Sequence, residues 1–360
     1  MKKMLVCVMI LSMMAALLAG CGSKPAAAPA ATEAPKAEEP APAPTEEPKV
    51  EEPKAEEPAP APEAEEEEDE ENYDTGDASL DDPRNQDGIG EKELLVVSFG
   101  TSFNDSRRLT IGAIEETLQE KFPEWSVRRA FTSQIIIDHV AKRDGEVIDN
   151  VHDALERAVA NGVKTLVVQP THLMGGYEYT DLKNELAEYA DAFEQIVLAK
   201  PMLDRDSDFG TVIDAICGAM YPYEDGETAI CFMGHGTEAD SNGVYAKLQT
   251  LIDEAGVEDY YIGTVEAEPS VEDVLSQVKA GNYKRVVLRP LMIVAGDHAN
   301  NDMAGDDPDS WKSIFEREGY EVVCVVEGLG QLPEIRDLIV QHCFEAMSDA
   351  GIEVSFGCSA

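Results

Sequence analysis

The sequence predicts an α/β protein made of two similar lobes, each with a parallel four-stranded sheet, preceded by a disordered tether. Three observations carry that expectation. From residue 93 onward, apolar strand-like runs alternate with amphipathic helix-like segments. The alternation restarts midway with matching residues. The first 92 residues have a different composition altogether.

The N-terminal part divides in two. Lys2 and Lys3 precede an apolar stretch over residues 4–18, too short for a comfortable membrane span, which ends in Leu18-Ala19-Gly20-Cys21. Small residues before a cysteine resemble a bacterial lipobox. Residues 1–20 are therefore expected to be a lipoprotein signal peptide and Cys21 the lipidated residue. That places the protein outside the cytoplasm, lipid-anchored to the bacterial cell membrane on its periplasmic or extracellular face. Residues 21–92 are rich in Ala, Pro and Glu, with an acidic run over residues 65–71. Such a segment cannot bury a core and reads as a disordered linker.

The formal net charge is −44, and residues 93–360 alone hold 49 acids against 20 bases. That balance argues against nucleic-acid binding, which leaves a basic footprint. Of the 7 cysteines, Cys217, Cys231, Cys324, Cys343 and Cys358 lie in the folded part; no CxxC pair occurs among them, so no disulfide framework or thiolate zinc site is implied.

The elements follow in order. Strands are expected at residues 94–98, 127–131, 165–169 and 196–199. Helices follow them near 106–121, 146–160, 179–189 and 209–220. The second half repeats this with strands at 229–232, 260–265, 285–288 and 322–326, and helices near 243–255, 271–279, 310–318 and 332–347. Strands separated by helices of this length make parallel βαβ units. Lys164-Thr-Leu-Val-Val-Gln-Pro170 parallels Lys284-Arg-Val-Val-Leu-Arg-Pro290 at an offset of 120 residues, which sets Glu178 opposite His298. Ser98-Phe99-Gly100-Thr101 likewise resembles Gly234-His235-Gly236-Thr237. The lobes are read as residues 93–222 and 223–360.

The chemistry concentrates at three strand ends of the second lobe. His235 lies in Met233-Gly234-His235-Gly236-Thr237, Glu266 directly follows a strand, and His298 closes Ala295-Gly296-Asp297-His298. In one parallel sheet all three emerge at the carboxyl edge, where α/β proteins bind ligands. Two imidazoles and a carboxylate can hold a divalent metal and move protons. Asp297 is the natural neighbour to orient His298. His139, His152 and His342 lie in helical or polar contexts and read as surface residues. No Walker loop, GxGxxG, GxSxG or HExxH motif is present.

Ser98-Phe99-Gly100-Thr101-Ser102, Gln169-Pro170-Thr171-His172, Met233-Gly234-His235-Gly236, Gly263-Thr264-Val265-Glu266 and the stretch from Pro290 to Trp311 run in the order of the anaerobic sirohydrochlorin cobaltochelatases. The resemblance spans nearly all of residues 93–360. It implies two Rossmann-like lobes, similar in fold to ferrochelatase, with a tetrapyrrole between them. It also implies insertion of Co2+, or of Fe2+ or Ni2+, into sirohydrochlorin or a related tetrapyrrole, with loss of two pyrrole protons. The metal is then a substrate, and no organic cofactor is expected.

The family's metal-handling residues match His235, Glu266 and His298. Ser98, Thr101, His172 and Glu178 are expected to line the substrate side of the cleft. Because the substrate is a polycarboxylate, Arg107, Arg108, Arg128, Arg129 and Arg289 are candidates for a locally basic cleft. The export signal keeps a second reading open: an envelope protein that binds metal or tetrapyrrole for uptake without turnover. Oligomeric state, a homo-oligomer included, is left open.

Overall fold

The computed structural model describes residues 75–354. The expected signal peptide, Cys21 and the tether up to residue 74 lie outside the described residues, as do residues 355–360. Strands β1 (Lys92–Ser98), β2 (Ser126–Phe131), β3 (Thr165–Pro170) and β4 (Gln195–Leu198) form one parallel sheet in the order β2-β1-β3-β4. Strands β5 (Thr228–Gly234), β6 (Tyr260–Thr264), β7 (Arg285–Pro290) and β8 (Glu321–Cys324) form a second, in the order β6-β5-β7-β8. The duplication extends to register: Lys92 pairs with Thr165 in the first sheet, and Thr228 pairs with Arg285 in the second.

Both faces of each sheet are covered, which is why the strands read as continuous apolar runs. In β1, Leu94 and Val96 enter one core, while Leu95 and Val97 enter another on the opposite face. The helices are α1 (Asn104–Arg107), α2 (Ala113–Lys121), α3 (Gln134–Asp144), α4 (Val151–Ala160), α5 (Tyr177–Glu188), α6 (Asp206–Met220), α7 (Gly243–Glu254), α8 (Val271–Ala280), α9 (Trp311–Arg317) and α10 (Pro333–Asp349). A π-helical turn, Arg108–Gly112, links α1 to α2. The helix expected near 146–160 is α4, and α3 precedes it as an additional element. Ser133 starts α3 by accepting from the Ile136 amide, and Gly145 ends it at φ +71°.

The last helix of each half ties the halves together. Helix α6 packs on α7 of the second lobe, whereas α10 returns to pack on α2, α6 and β3. One apolar core therefore includes Leu94 and Val167 of the first sheet, Ile230 and Val287 of the second, and Phe209, Ile216, Ile335 and Ile339 from the two helices. His342, expected at the surface, is buried in this junction, with Nε2 3.2 Å from an Asp208 carboxylate oxygen.

Two expectations are corrected here. The linker was expected to run to residue 92, but residues 75–91 pack onto the first lobe. Asp77 caps a short 3-10 turn, Ala78–Leu80, and Asp81 is buried beyond it. The buried arginines are also not cleft residues. Arg107, Arg128 and Arg129 are fully buried. Arg128 meets Glu93 and Asp149, Arg129 meets Glu115 and Asp81, and Arg107 meets Asp81 and Glu146. Charges removed from water require partners this close. Arg289 is buried beside Glu327, and Arg108 pairs with Asp105.

Candidate metal centre

The centre is built at the carboxyl edge of the second sheet, around the point between β5 and β7 where the strand order reverses. That is where open parallel sheets bind ligands. His235 follows β5, and both flanking glycines are required. A Cβ on Gly234 would lie 2.2 Å from the Tyr245 ring, while Gly236, at φ +90°, has room only up to the Ala267 amide nitrogen, 2.8 Å from a built Cβ. The amide of Glu266 donates to the His235 carbonyl at 2.9 Å, so the loops after β5 and β6 are joined by their backbones.

The side chains converge. One possible ligand atom from each of His235, Glu266 and His298 lies within 4.8 Å of the others. The imidazoles of His235 and His298 cross edge to face, with ring centroids 4.7 Å apart and an interplanar angle of 87°. His235 Nδ1 lies 2.9 Å from the Gly236 carbonyl and 3.4 Å from a Glu266 carboxylate oxygen. His298 Nδ1 lies 2.6 Å from Asp302 Oδ2. A carbonyl or carboxylate only accepts, so each Nδ1 is the donor, and in the neutral imidazole the lone pair then lies on Nε2. That is the tautomer a metal ligand needs.

Asp302, not the adjacent Asp297, orients His298. His298 is the residue just before a π-helical turn, Ala299–Met303, and that turn carries Asp302 back over the ring. Asp297 instead accepts from Asn301 Nδ2 at 2.7 Å. Burial works against the charged imidazolium of His298, but Asp302, with Glu266 and Asp297 behind it, outweighs burial and makes this ring more basic than a free one. Asp297, His298 and Asp302 form a second possible metal-holding group that shares His298 with the first. The i, i+4 spacing from His298 to Asp302 is the sequence signal that would have found it.

The four residues expected on the substrate side divide. Ser98 and Thr101 are only 2% and 3% exposed. The Ser98 hydroxyl accepts from Thr171 at 2.8 Å, and Thr101 packs under Gly296. His172 Nε2 lies 3.2 Å from the half-exposed Glu178 at the start of α5. The first sheet's carboxyl edge also carries exposed Phe99 and Tyr177. The two lobes touch beside the centre: the Ala295 amide donates to Ser106 at 2.9 Å, and Gly176 lies against Ser241.

Fold and site together define a duplicated α/β protein of chelatase type, with a His-Glu-His cluster on one of its two sheets. In fold it is similar to SirB from Bacillus subtilis with Fe3+, at a TM-score of 0.51 and 13% identity over 74% of this chain and 100% of that one. The chain belongs to the cobalt chelatase (CbiK) family, whose model matches residues 92–348. It is 36% identical over 260 residues to the sirohydrochlorin cobaltochelatase of Salmonella typhimurium strain LT2, covering 72% of this chain and 98% of that one. It is 30% identical to the sirohydrochlorin cobaltochelatase CbiKC of Nitratidesulfovibrio vulgaris strain Hildenborough, covering 72% of this chain and 91% of that one.

Proposed function

We propose that this protein is a sirohydrochlorin cobaltochelatase that inserts Co2+ into the macrocycle, with His235, Glu266 and His298 handling the metal. The observation that carries this reading is the crossed pair of imidazoles, each with Nδ1 tied back and Nε2 free, beside a carboxylate. Neutral imidazoles and one carboxylate bind Co2+, Fe2+ and Ni2+ without the permanence of a thiolate set. The ion exchanges water for these ligands and then for the four ring nitrogens. Two pyrrole N–H protons leave as it enters. An imidazole released from the metal accepts such a proton, and half-exposed Glu266 passes it to solvent. Phe99 and Tyr177 supply exposed aromatic surface for a flat macrocycle.

The N-terminal motif supports a location at the cell envelope in this reading, with Cys21 as the lipidated residue and the chain held on the outer side of the membrane. Among the described residues no helix is long and apolar enough to cross a membrane. An exported location favours one alternative, a carrier that binds metal or tetrapyrrole without turnover. Both are tested by one anaerobic absorbance assay of the full chain with sirohydrochlorin and Co2+, Fe2+ or Ni2+. Product well beyond one equivalent per protein, above the protein-free rate, is expected. A change that stops near one equivalent overturns the enzyme reading and leaves a carrier.

A further inference from the structure

We propose that residues 75–91 are a strap that positions the first-lobe side of the cleft, with Asp81 as its positioning residue. The inference goes beyond the cobalt reaction, and its activity readout rests on that reading. The strap precedes the family match, which starts at residue 92. It is docked along its length. The Asp105 amide donates to the Thr75 carbonyl at 2.8 Å, and Arg129 donates its amide to Arg84 at 3.2 Å. Asn85 Nδ2 donates to the Val147 carbonyl at 2.6 Å, and Gln86 Nε2 to that of Val127 at 3.2 Å.

Asp81 turns this docking into a mechanical link. Its carboxylate accepts from Arg107 Nε at 2.7 Å and from Arg129 Nη1 at 2.6 Å. The same Arg107 guanidinium donates through Nη1 to the Thr101 carbonyl at 3.2 Å and through Nη2 to Glu146 at 2.8 Å. Thr101 belongs to the loop that leaves β1, and a Cβ on Gly296 would meet its Oγ1 at 3.0 Å. Ser106, one residue before Arg107, accepts from the Ala295 amide. Ala295 and Gly296 lead directly into Asp297 and His298.

Arg107 and Thr101 are buried and the Asp81 side chain is 2% exposed, so the path from strap to cleft loop consists of direct, shielded side-chain contacts. A guanidinium holds its acceptors in one plane. With Asp81 in place, Arg107 has three fixed acceptors and cannot rotate away from Thr101. Without it, the planar group has two, and the loop facing the His298 segment loses its fixed donor. A displaced loop weakens the seating of the macrocycle against the first lobe, which reads as a higher KM.

The test uses the full chain carrying Asp81→Asn, which removes the charge and keeps a polar atom. A second variant, Gly76→Ala, lifts the start of the strap without touching Arg107 or Arg129: Gly76 sits at φ +90°, and a Cβ there would collide with the Asp105 carboxylate, the partner of Arg108. Three quantities are read: KM for sirohydrochlorin, kcat, and binding of Co2+ alone. Asp81→Asn is expected to raise KM for sirohydrochlorin about tenfold, and Gly76→Ala by less. Co2+ binding is expected to stay at the wild-type level in both, because its residues all lie on the second lobe.

A general loss of folded protein would lower kcat and Co2+ binding together and leave KM alone, which would overturn the proposal. Wild-type kinetics in Asp81→Asn would also overturn it. If Asp81→Asn does not fold, wild-type KM in Gly76→Ala overturns it instead. His298→Ala serves as the control: if that variant keeps turnover, the site reading has failed rather than the strap.

Discussion

The two sheets share one strand order and one register, yet their carboxyl edges carry different chemistry. Where β5 is followed by His235, β1 is followed by Phe99; where the segment after β7 supplies His298, the start of α5 after β3 supplies Glu178. The edge strands differ as well. Arg128 and Arg129 of β2 pair in register with Leu95 and Val96, positions that Tyr261 and Ile262 occupy against Cys231 and Phe232 in the second lobe. One lobe holds its edge by buried ion pairs and a strap, the other by aromatic and aliphatic packing. Duplication supplied two frames, and among the described residues the His-Glu-His cluster that could hold a metal stands on one of them.

The comparison breaks first at the metal centre. His235→Ala and His298→Ala are expected to lower Co2+ insertion at least about a hundredfold while leaving circular dichroism and melting unchanged, since His235 lies on a loop and His298 at the start of a short helical turn, both outside the strands and long helices. Near wild-type turnover in either variant would remove that histidine from the chemistry. Asp302→Ala is expected to weaken Co2+ binding by roughly ten- to a hundredfold, with Asp302→Asn recovering part of the loss because an amide oxygen still accepts from His298 Nδ1. Equal behaviour of the two variants would assign the effect to charge rather than orientation.

The edge strands give the next contrast, read as stability. Arg128→Ala leaves the buried Glu93 without its cation, while Asp149 keeps Arg157, and is expected to cost about 3 kcal/mol in urea unfolding. Tyr261→Phe, at the matching position, loses one hydroxyl contact with Tyr283 and is expected to cost about 1 kcal/mol. Similar costs would mean that the lobes are held in the same way.

A pH dependence sharpens the contrast further. Burial pushes the Glu93 carboxyl up from 4.5 to about 7, beyond what Arg128 restores. Between those values the folded chain keeps a proton that the unfolded chain has released, so this group's contribution to stability falls as pH rises through that window, by on the order of 3 kcal/mol. Glu93→Gln is expected to flatten this slope in unfolding measured from pH 4.5 to 8. An unchanged slope would show that Glu93 stays ionised throughout.

Much of this was legible because the duplication repeats residues as well as pattern. The strand runs, the glycine-flanked His235 and the 120-residue offset to His298 need no packing to be seen. The rest depended on contacts between distant parts of the chain. Residues 75–91 are polar and glycine-bearing, so local composition assigns them to the tether; only Arg107 and Arg129, two strands and a helix away, reveal Asp81 as their partner. Arginines in β2 look available to a carboxylate ligand until Glu93, Glu115 and Asp149 are placed beside them. Asp297 adjoins His298 in sequence, but a helical turn brings Asp302 to the ring instead. His342 looked solvated until α10 crossed to the first lobe and set it against Asp208.

The most direct test of a metal centre confined to one lobe is a Co2+ titration of the full-length apo chain, followed by the visible absorption of imidazole-bound cobalt. One such Co2+ per chain is expected, lost in His298→Ala and kept in His172→Ala. Two per chain, or loss of the signal in His172→Ala, would contradict the account by placing a metal on the first lobe as well.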